Sequence, residues 1–216
     1  MLLRFSPAGR EKTEIFMLCR RKTVRLGELC RMAALECPDE SADREITAIA
    51  MDSGRVSAGC LFICIRGLHT DGHRFIGDAV ARGAVCVLCE TGREPAPVTT
   101  LYSDNTRRAA ARLYNAFFGN PAASLKFIGV TGTNGKTTVT HMLRAILEMS
   151  MHRTGLIGTV GCESCGRHLA PQARDPLSNM TTPDPPDLYR MLREMVDDGV
   201  EYVLMEVTSL ALALGK

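Results

Sequence analysis

Residues 129–138 read Gly-Val-Thr-Gly-Thr-Asn-Gly-Lys-Thr-Thr, the most informative sequence in the second half of the chain. The residues that lead into it, Lys126–Val130, have the composition of a strand, and residues 137–149 carry apolar side chains at helical spacing. Small residues let successive backbone N–H groups turn inward around phosphate oxygens, while the positive end of the following helix faces the same anion. The stretch therefore predicts a strand, a phosphate-binding loop and a helix in succession.

A lysine, a threonine and a distant acid supply the predicted chemistry. Lys136 is predicted to reach the β- and γ-phosphates of a nucleotide, and the Thr137 hydroxyl is predicted to ligate Mg²⁺. Glu206 ends the apolar run 202–205, where a carboxylate would share that metal and assist phosphoryl transfer. The strict phosphate-loop motif GxxxxGK[ST] is not met, because Val130 occupies the position of its first glycine. The alternative is a glycine-rich turn with an incidental lysine and a surface acid. The residues predicted to bind the nucleotide are Gly132, Thr133, Asn134, Gly135, Lys136, Thr137 and Thr138.

Strand-like and helix-like patterns alternate along the rest of the chain. Short apolar runs predict buried strands, and apolar residues three or four apart predict helices. The alternation predicts an α/β fold with a parallel or mixed sheet, in two halves that meet near residues 119–121. Prolines favour a loop over Cys162–Pro186. The predicted strands are 61–65, 84–89, 98–102, 126–130, 156–160 and 202–207, and the predicted helices are 26–33, 75–80, 107–118, 137–149 and 187–198.

The composition is that of an ordinary globular protein. Of 216 residues, 45% are apolar and 23% are charged, which excludes disorder as the main state. No apolar run is long enough to span a membrane, and a formal net charge of +2 gives no reason to expect nucleic acid or a membrane as partner. Residues 1–16 read as a loose extension without a secretory signal, and Met17 is interpreted as the natural start.

Nine cysteines are an odd number, and they lie mostly in apolar runs. Disulfide frameworks belong to short secreted domains, so reduced thiols in the cytoplasm are predicted. Two pairs have the CxxC spacing. Cys86 and Cys89 fall in a predicted strand and face opposite ways, while Cys162 and Cys165 lack a second matching pair nearby. Neither pair is predicted to bind a metal.

Residues 132–138 resemble the nucleotide loop of the Mur ligases, the ATP-dependent amide ligases of peptidoglycan synthesis. Five further segments are similar to the members that add the third amino acid of the stem peptide: residues 51–53, 59–62, 71–73, 181–184 and 205–207. The resemblance runs from about Leu26 to Lys216. The loop alone also fits folate-polyglutamate and cyanophycin synthetases, whereas the ordered set is more specific.

The resemblance implies an α/β UDP-substrate-binding domain over residues 17–122 and the first, truncated part of a central ATP-binding domain over residues 123–216, with the C-terminal domain absent. In such ligases a substrate carboxylate attacks the γ-phosphate of ATP to give an acyl phosphate, and an amine then displaces phosphate to form an amide. The implied substrates are UDP-MurNAc-L-Ala-D-Glu and diaminopimelate or lysine, with ATP and Mg²⁺, on a cytoplasmic monomer. Two alternatives stay open: a sister ligase that adds D-Ala-D-Ala, and a non-catalytic nucleotide- or UDP-sugar-binding relic.

The resemblance also implies substrate-binding residues in both halves. Thr208 occupies a position where the family usually has a serine, and it keeps the hydroxyl. Lys216 occupies a position where the family usually has an arginine, so the charge is kept but the bidentate geometry of arginine is lost. The alternatives are purely structural roles: Ser53 is a turn residue, and Thr181 and Thr182 cap the next helix. The residues that match family contacts to the uridine diphosphate are Ser53, Leu68, His69 and Thr70, and those that match contacts to the muramoyl peptide are Thr181, Thr182, Thr208 and Lys216.

Two positions depart from the family pattern. Gly54 occupies the place of an arginine, for which the next residue, Arg55, is a candidate substitute. Leu210 occupies the place of a histidine that contacts the second metal, and a leucine side chain cannot ligate one. A carbamylated lysine of the family lies downstream of the matching segment. The chain by itself is therefore expected to bind ligands rather than to turn over.

Overall fold

The computed structural model describes residues 23–67, 70–170 and 181–214, apart from the side chains of residues 210, 213 and 214. Within these residues the strands form a four-stranded sheet, a five-stranded sheet and a two-stranded ribbon. Helices pack against both larger sheets, which confirms the predicted α/β class.

The first sheet is parallel throughout, and its strands follow one another in chain order. Its strands are β3 (Ala48–Ala50), β4 (Cys60–Ile63), β5 (Ala84–Glu90) and β6 (Thr99–Ser103), and a ribbon of β1 (Val24–Arg25) and β2 (Glu45–Ile46) precedes them. All four residues of β4 are buried, which is typical of parallel strands covered on both faces.

Helices cover the two faces of this sheet unequally. Helices α1 (Leu26–Ala33) and α3 (Thr106–Phe117) pack on one face, and the shorter α2 (Ile76–Ala81) packs on the other. The predicted helix over residues 26–33 is confirmed, because its four apolar positions are all buried. Helix α3 starts where Asn105 accepts the Arg108 N–H at 2.9 Å, a side-chain cap of the helix N-terminus.

The second sheet consists of three parallel strands and an antiparallel hairpin, in the order β10-β9-β8-β11-β7. The parallel strands are β7 (Lys126–Val130), β8 (Thr154–Gly158) and β11 (Tyr202–Glu206), and the hairpin strands are β9 (Gly161–Ser164) and β10 (Arg167–Leu169). Since β11 lies between β7 and β8, the loops that follow these three strands meet at one edge of the sheet. That edge is where open α/β sheets bind ligands.

The hairpin shows that the predicted loop over Cys162–Pro186 was wrong in its first part. Cys165 and Gly166 form its turn with φ of 48° and 79°, the left-handed pair that a two-residue hairpin turn requires. Residues 171–180 of the predicted loop lie outside the described residues.

The described residues of the second half form three helices: α4 (Lys136–Met149), α5 (Pro185–Asp197) and α6 (Ser209–Leu214). Helix α5 buries its apolar face, including Leu188 and Met195, as its spacing predicts, and its Tyr189 packs against the cores of both halves. Helix α4 instead exposes much of its apolar stripe: Met142 and Ile146 are 61% and 60% exposed. Every helix within the described residues is too short or too polar to cross a membrane.

Candidate functional site

The loop after β7 carries the geometry of a phosphate-binding turn. Gly132 and Gly135 adopt φ of 146° and 78°, conformations that favour glycine, and Gly135 directly precedes the first residue of α4. A helix N-terminus presents backbone N–H groups without partners inside the helix, together with the positive end of the dipole. Residues 131–135 are exposed, so a phosphate group has open access to this N-terminus.

Lys136 lies folded back onto this loop. Its Nζ donates to the Gly132 carbonyl at 2.8 Å and to the Thr133 carbonyl at 3.4 Å. The ammonium group thus lies over the loop, held by neutral acceptors that a phosphate oxygen could replace. Thr137 is half-buried beside it, and its carbonyl accepts the Thr140 hydroxyl at 2.9 Å.

Glu206 lies at the same edge of the sheet as the loop. It ends β11 and pairs in register with Val130, the last residue of β7. Although only 1% exposed, its carboxylate accepts two hydrogen bonds from one residue: the Thr159 N–H at 3.2 Å and the Thr159 hydroxyl at 3.1 Å. A buried carboxylate needs such partners, because desolvation penalises an unpaired charge heavily.

A glycine makes room for that carboxylate. A Cβ on Gly158, the last residue of β8, would lie 2.9 Å from the Glu206 Cδ and 3.1 Å from its Cγ. Those approaches are shorter than carbon atoms tolerate, so any larger residue at 158 would push the glutamate side chain away. The absence of a side chain at residue 158 therefore leaves the space that the Glu206 carboxylate occupies.

The predicted threonines connect to this acid and not to the helix that follows them. The Thr181 hydroxyl lies 3.0 Å from the Thr159 hydroxyl, and the buried Thr182 donates to the Glu206 carbonyl at 3.2 Å. The residue at the N-cap position of α5 is Asp184, so the capping alternative for the threonine pair is wrong. Thr208 accepts the Ala211 N–H at 3.1 Å at the start of α6.

The donor set suits a hard divalent cation beside phosphate. Carboxylate and hydroxyl oxygens, as on Glu206 and Thr137, are the ligands that Mg²⁺ prefers, and substrate phosphates commonly complete its shell. The glycine conformations leave space for phosphate oxygens at the helix terminus, and Lys136 supplies a cation that can meet them. The residues present thus fit a nucleotide bound with Mg²⁺.

The predicted uridine-diphosphate residues lie in the first half. Ser53 begins a short 3-10 turn, Ser53–Arg55, in which Asp52 Oδ1 accepts the Gly54 N–H at 2.9 Å. Arg55 lies 4.0 Å from the Asp52 carboxylate and is exposed, and Thr70 is exposed as well. The remaining predicted contacts, Leu68, His69 and Lys216, together with the extension 1–16, lie outside the described residues, as does the side chain of Leu210.

The structure thus places the loop, Lys136, Glu206, Thr181 and Thr182 at one edge of the second sheet, whereas Ser53 and Thr70 lie in turns of the first half. Sequence reasoning missed Thr159, although it holds Glu206. The predicted strand over 156–160 placed Thr159 inside a strand, whereas β8 ends at Gly158 and Thr159 follows it directly at the edge where ligands bind. The CxxC residues are divided by the fold: Cys86 and Cys89 belong to opposite faces of the first sheet, and Cys162 is buried while Cys165 is exposed.

Two family descriptions match the chain. The Mur ligase family, catalytic domain, matches residues 45–137, and the Mur ligase middle domain matches residues 130–216. The second match begins at the end of β7 and contains the loop, Lys136 and Glu206.

Curated relatives with the name UDP-N-acetylmuramoyl-L-alanyl-D-glutamate–2,6-diaminopimelate ligase are similar over most of the chain. The one from Geobacillus kaustophilus is 45% identical over 172 residues, covering 80% of this chain and 34% of the relative. The one from Listeria innocua is 39% identical over 193 residues, covering 89% and 38%. The chain therefore spans little more than a third of the length of these relatives.

Solved structures share the fold. A structure of a UDP-N-acetylmuramoyl-L-alanyl-D-glutamate–2,6-diaminopimelate ligase superposes with a TM-score of 0.68 at 22% identity, covering 90% of this chain and 38% of that one. A D-alanyl-D-alanyl ligase from Acinetobacter baumannii superposes with a TM-score of 0.52 at 23% identity, covering 87% and 37%.

Proposed function

The chain belongs to the Mur ligase family, and on that premise we propose that it forms the UDP-substrate-binding and ATP-binding part of an amide ligase that builds peptidoglycan precursors. The observation that carries the proposal is the meeting of the glycine loop, Lys136 and Glu206 at one edge of the second sheet. The names of the relatives favour UDP-MurNAc-L-Ala-D-Glu as the acceptor and diaminopimelate as the amino acid that is added, with lysine as the other candidate.

We propose that residues 17–122 bind the UDP part of the substrate and that residues 123–216 form the first part of the ATP-binding domain. Two observations support these assignments, the first concerning the boundary and the second concerning helix α4. The family matches change over between residues 130 and 137, close to the start of the second sheet. The exposed apolar stripe of α4, with Met142 and Ile146, favours further protein packing on that helix in the complete enzyme.

Lys136 is the residue proposed to hold the phosphates. Its ammonium exchanges the Gly132 and Thr133 carbonyls for oxygens of the β- and γ-phosphates, while the loop N–H groups and the α4 dipole hold the same anion. The new contacts join two charged groups and are therefore stronger than the contacts to neutral carbonyls that they replace. The lysine contributes charge and position, and no proton transfer is assigned to it.

Glu206 and Thr137 are the residues proposed to hold Mg²⁺, which would neutralise charge on the phosphates. The Thr159 N–H and hydroxyl hold the Glu206 carboxylate in the space left by Gly158, so the acid is positioned before any ligand binds. Thr181 and Thr182, tied to the same network, are proposed to hold the muramoyl peptide. The acyl phosphate forms on a carboxylate of the substrate, so the chain needs no side-chain nucleophile.

Calorimetric titration of the chain with ATP and Mg²⁺ tests the proposal. Replacing Lys136 by alanine removes one charge-assisted contact worth about 1.5–3 kcal/mol, and the ATP affinity is expected to fall roughly 10- to 150-fold. The control is Lys126→Ala, because Lys126 carries the same charge nearby on β7 but contacts Tyr202. Equal ATP affinity of the wild-type and Lys136→Ala chains would refute the nucleotide assignment.

A second titration distinguishes the alternatives. Binding of UDP-MurNAc-L-Ala-D-Glu, weakened by Ser53→Ala, supports the ligase that adds the third amino acid. Preference for UDP-MurNAc-tripeptide favours the D-Ala-D-Ala ligase. Binding of ATP without either precursor favours a nucleotide-binding relic. These nucleotides occur in the cytoplasm, where the enzyme is proposed to act as a monomer.

A further inference from the structure

Two cysteines and a histidine meet at the carboxyl edge of the first sheet, away from the loop and Glu206. The ligand atoms of Cys64, His73 and Cys89 all lie within 4.8 Å of one another, and the two Sγ atoms are 4.0 Å apart. Both cysteines are fully buried, and the His73 side chain is 7% exposed. Within the described residues this is the one group of three or more potential metal ligands.

The sheet brings the two thiols together. Ile63 of β4 pairs in register with Leu88 of β5, and the ladder continues by one residue because the Cys64 N–H donates to the Leu88 carbonyl at 2.9 Å. Cys64 and Cys89 thus become neighbours on one face, in the cluster beneath α2. Cys86, three residues earlier on β5, faces the other side of the sheet.

The histidine arrives from the turn that follows β4. Gly72 donates its N–H to the Ile65 carbonyl at 3.0 Å, and a Cβ at that position would lie 2.8 Å from the Ile65 nitrogen and oxygen. The backbone at residue 72 is therefore pressed against the end of the strand. This contact holds His73, in the 3-10 turn Gly72–Phe75, over the two sulfurs.

The hydrogen bonds of His73 select the tautomer that a metal requires. Its Nδ1 lies 2.6 Å from Asp71 Oδ1, a carboxylate that accepts the ring proton, and its Nε2 accepts the Glu90 N–H at 3.1 Å. The lone pair is therefore on Nε2. Metal-binding histidines characteristically donate the other ring N–H to a carboxylate in this way.

Charges around the group balance when an ion is bound. The Asp71 carboxylate, which accepts the His73 ring proton, is paired with Arg93 at 3.0 Å. Two thiolates would neutralise a divalent ion, so no net charge is left in this buried place.

We propose that Cys64, Cys89 and His73 bind one divalent ion of the zinc class, with a water or protein oxygen as fourth ligand. Tetrahedral Zn–S bonds of about 2.3 Å place two sulfurs about 3.8 Å apart, close to the 4.0 Å of the two thiols. A disulfide needs about 2.05 Å, roughly half of that separation. Two thiolates and an imidazole are soft donors that bind zinc in preference to Mg²⁺, the hard cation proposed at Glu206.

Binding changes protons and hydrogen bonds in a balanced way. Each thiol releases one proton to solvent as its sulfur coordinates the ion. Nε2 of His73 exchanges the Glu90 N–H for the ion, and that N–H is left to bond a thiolate sulfur. The ion would join the strand ends to the turn Gly72–Phe75, which begins two residues after the predicted UDP contact Thr70. The proposal does not depend on the ligase assignment, because its test uses no nucleotide.

Titration of the reduced chain with Co²⁺ tests the proposal, with Zn²⁺ as competitor. The expected result is one equivalent of Co²⁺ with thiolate-to-cobalt charge-transfer absorption, which one equivalent of Zn²⁺ abolishes. Cys64→Ala and Cys89→Ala should each lose the absorption, and Cys86→Ala, which removes an equally buried thiol from the other face, should keep it.

A second variant guards against misfolding of the cysteine variants. His73→Gln changes a side chain at the border of the core, so the fold should persist while Zn²⁺ affinity falls at least tenfold and the helical circular dichroism is unchanged. The proposal is overturned if the reduced wild-type chain gives no charge-transfer absorption. It is also overturned if the absorption survives loss of both Cys64 and Cys89, or if these two thiols are joined in a disulfide.

Discussion

Replacing Thr159 by valine tests how Glu206 is held in its buried position. Valine keeps the shape and the backbone N–H of residue 159 but removes the hydroxyl that donates to Glu206 Oε2 at 3.1 Å and meets Thr181 at 3.0 Å. A hydrogen bond to a charged group contributes about 1.5–3 kcal/mol, and the neutral hydroxyl pair about 0.5–1.5 kcal/mol. Thr159 itself is exposed and Thr181 is half-buried, so water can replace part of both contacts, and the free energy of unfolding should fall by about 1.5–2.5 kcal/mol.

Urea unfolding followed by circular dichroism measures this change. Thr138→Val is the matched control: it removes the same hydroxyl from an exposed position on α4 and should alter the free energy by less than about 0.5 kcal/mol. In a double-mutant cycle with Glu206→Gln, the loss from Thr159→Val should shrink by roughly 1–2 kcal/mol, since the charge is gone. A Thr159→Val chain as stable as the wild type would show that the hydroxyl does not hold Glu206 in place.

Three further predictions concern single positions. Gly158→Ala places a methyl group against the Glu206 carboxylate, so urea unfolding should show a loss of about 1–3 kcal/mol and ATP·Mg²⁺ binding should weaken; an unchanged chain would contradict the close approach. Asn105→Ala removes the cap of α3 and should cost about 1 kcal/mol, whereas Asn105→Asp should restore it; equal melting temperatures of all three would exclude a capping role. The His73 hydrogen bond depresses the pKa of Asp71 from 3.8 to about 2, so its contribution is complete above about pH 4 and is lost as the pH falls toward 2. The stability of Asp71→Asn should therefore lack the wild-type loss between about pH 4 and pH 2. Identical acid unfolding curves of the variant and the wild type would show that the carboxylate contributes nothing.

Apolar periodicity was sufficient to predict most of the fold. The spacing of the apolar residues correctly predicts the buried faces of α1 (Leu26–Ala33) and α5. Each helix packs its apolar face against apolar side chains of a sheet. The β9–β10 hairpin was missed, since its strands are short and its Cys165-Gly166 turn lacks the asparagine or aspartate that marks most such turns. Helix α4 has the spacing of a buried helix, yet Met142 and Ile146 are exposed, a feature that spacing alone does not decide.

The candidate site was predictable where its residues are local in sequence. The loop and Lys136 form one continuous unit, so their arrangement follows from a strand–loop–helix pattern. Glu206 was predicted from its strand end, but its hydrogen-bond partner Thr159 lies 47 residues earlier and becomes adjacent only through the β8–β11–β7 strand order. The Cys64, Cys89 and His73 group is similar: parallel pairing of β4 with β5 joins two cysteines that have no motif spacing.

Hydrogen–deuterium exchange with and without ATP and Mg²⁺ shows directly whether this chain binds a nucleotide at the loop after β7. Binding is predicted to protect the backbone amides of residues 131–138, with a further change at Thr159 as Glu206 engages the metal. The first sheet should stay unaffected until UDP-MurNAc-L-Ala-D-Glu is added. Nucleotide-dependent protection confined to any other segment, or no protection under saturating ATP, would show that the nucleotide does not bind at this loop.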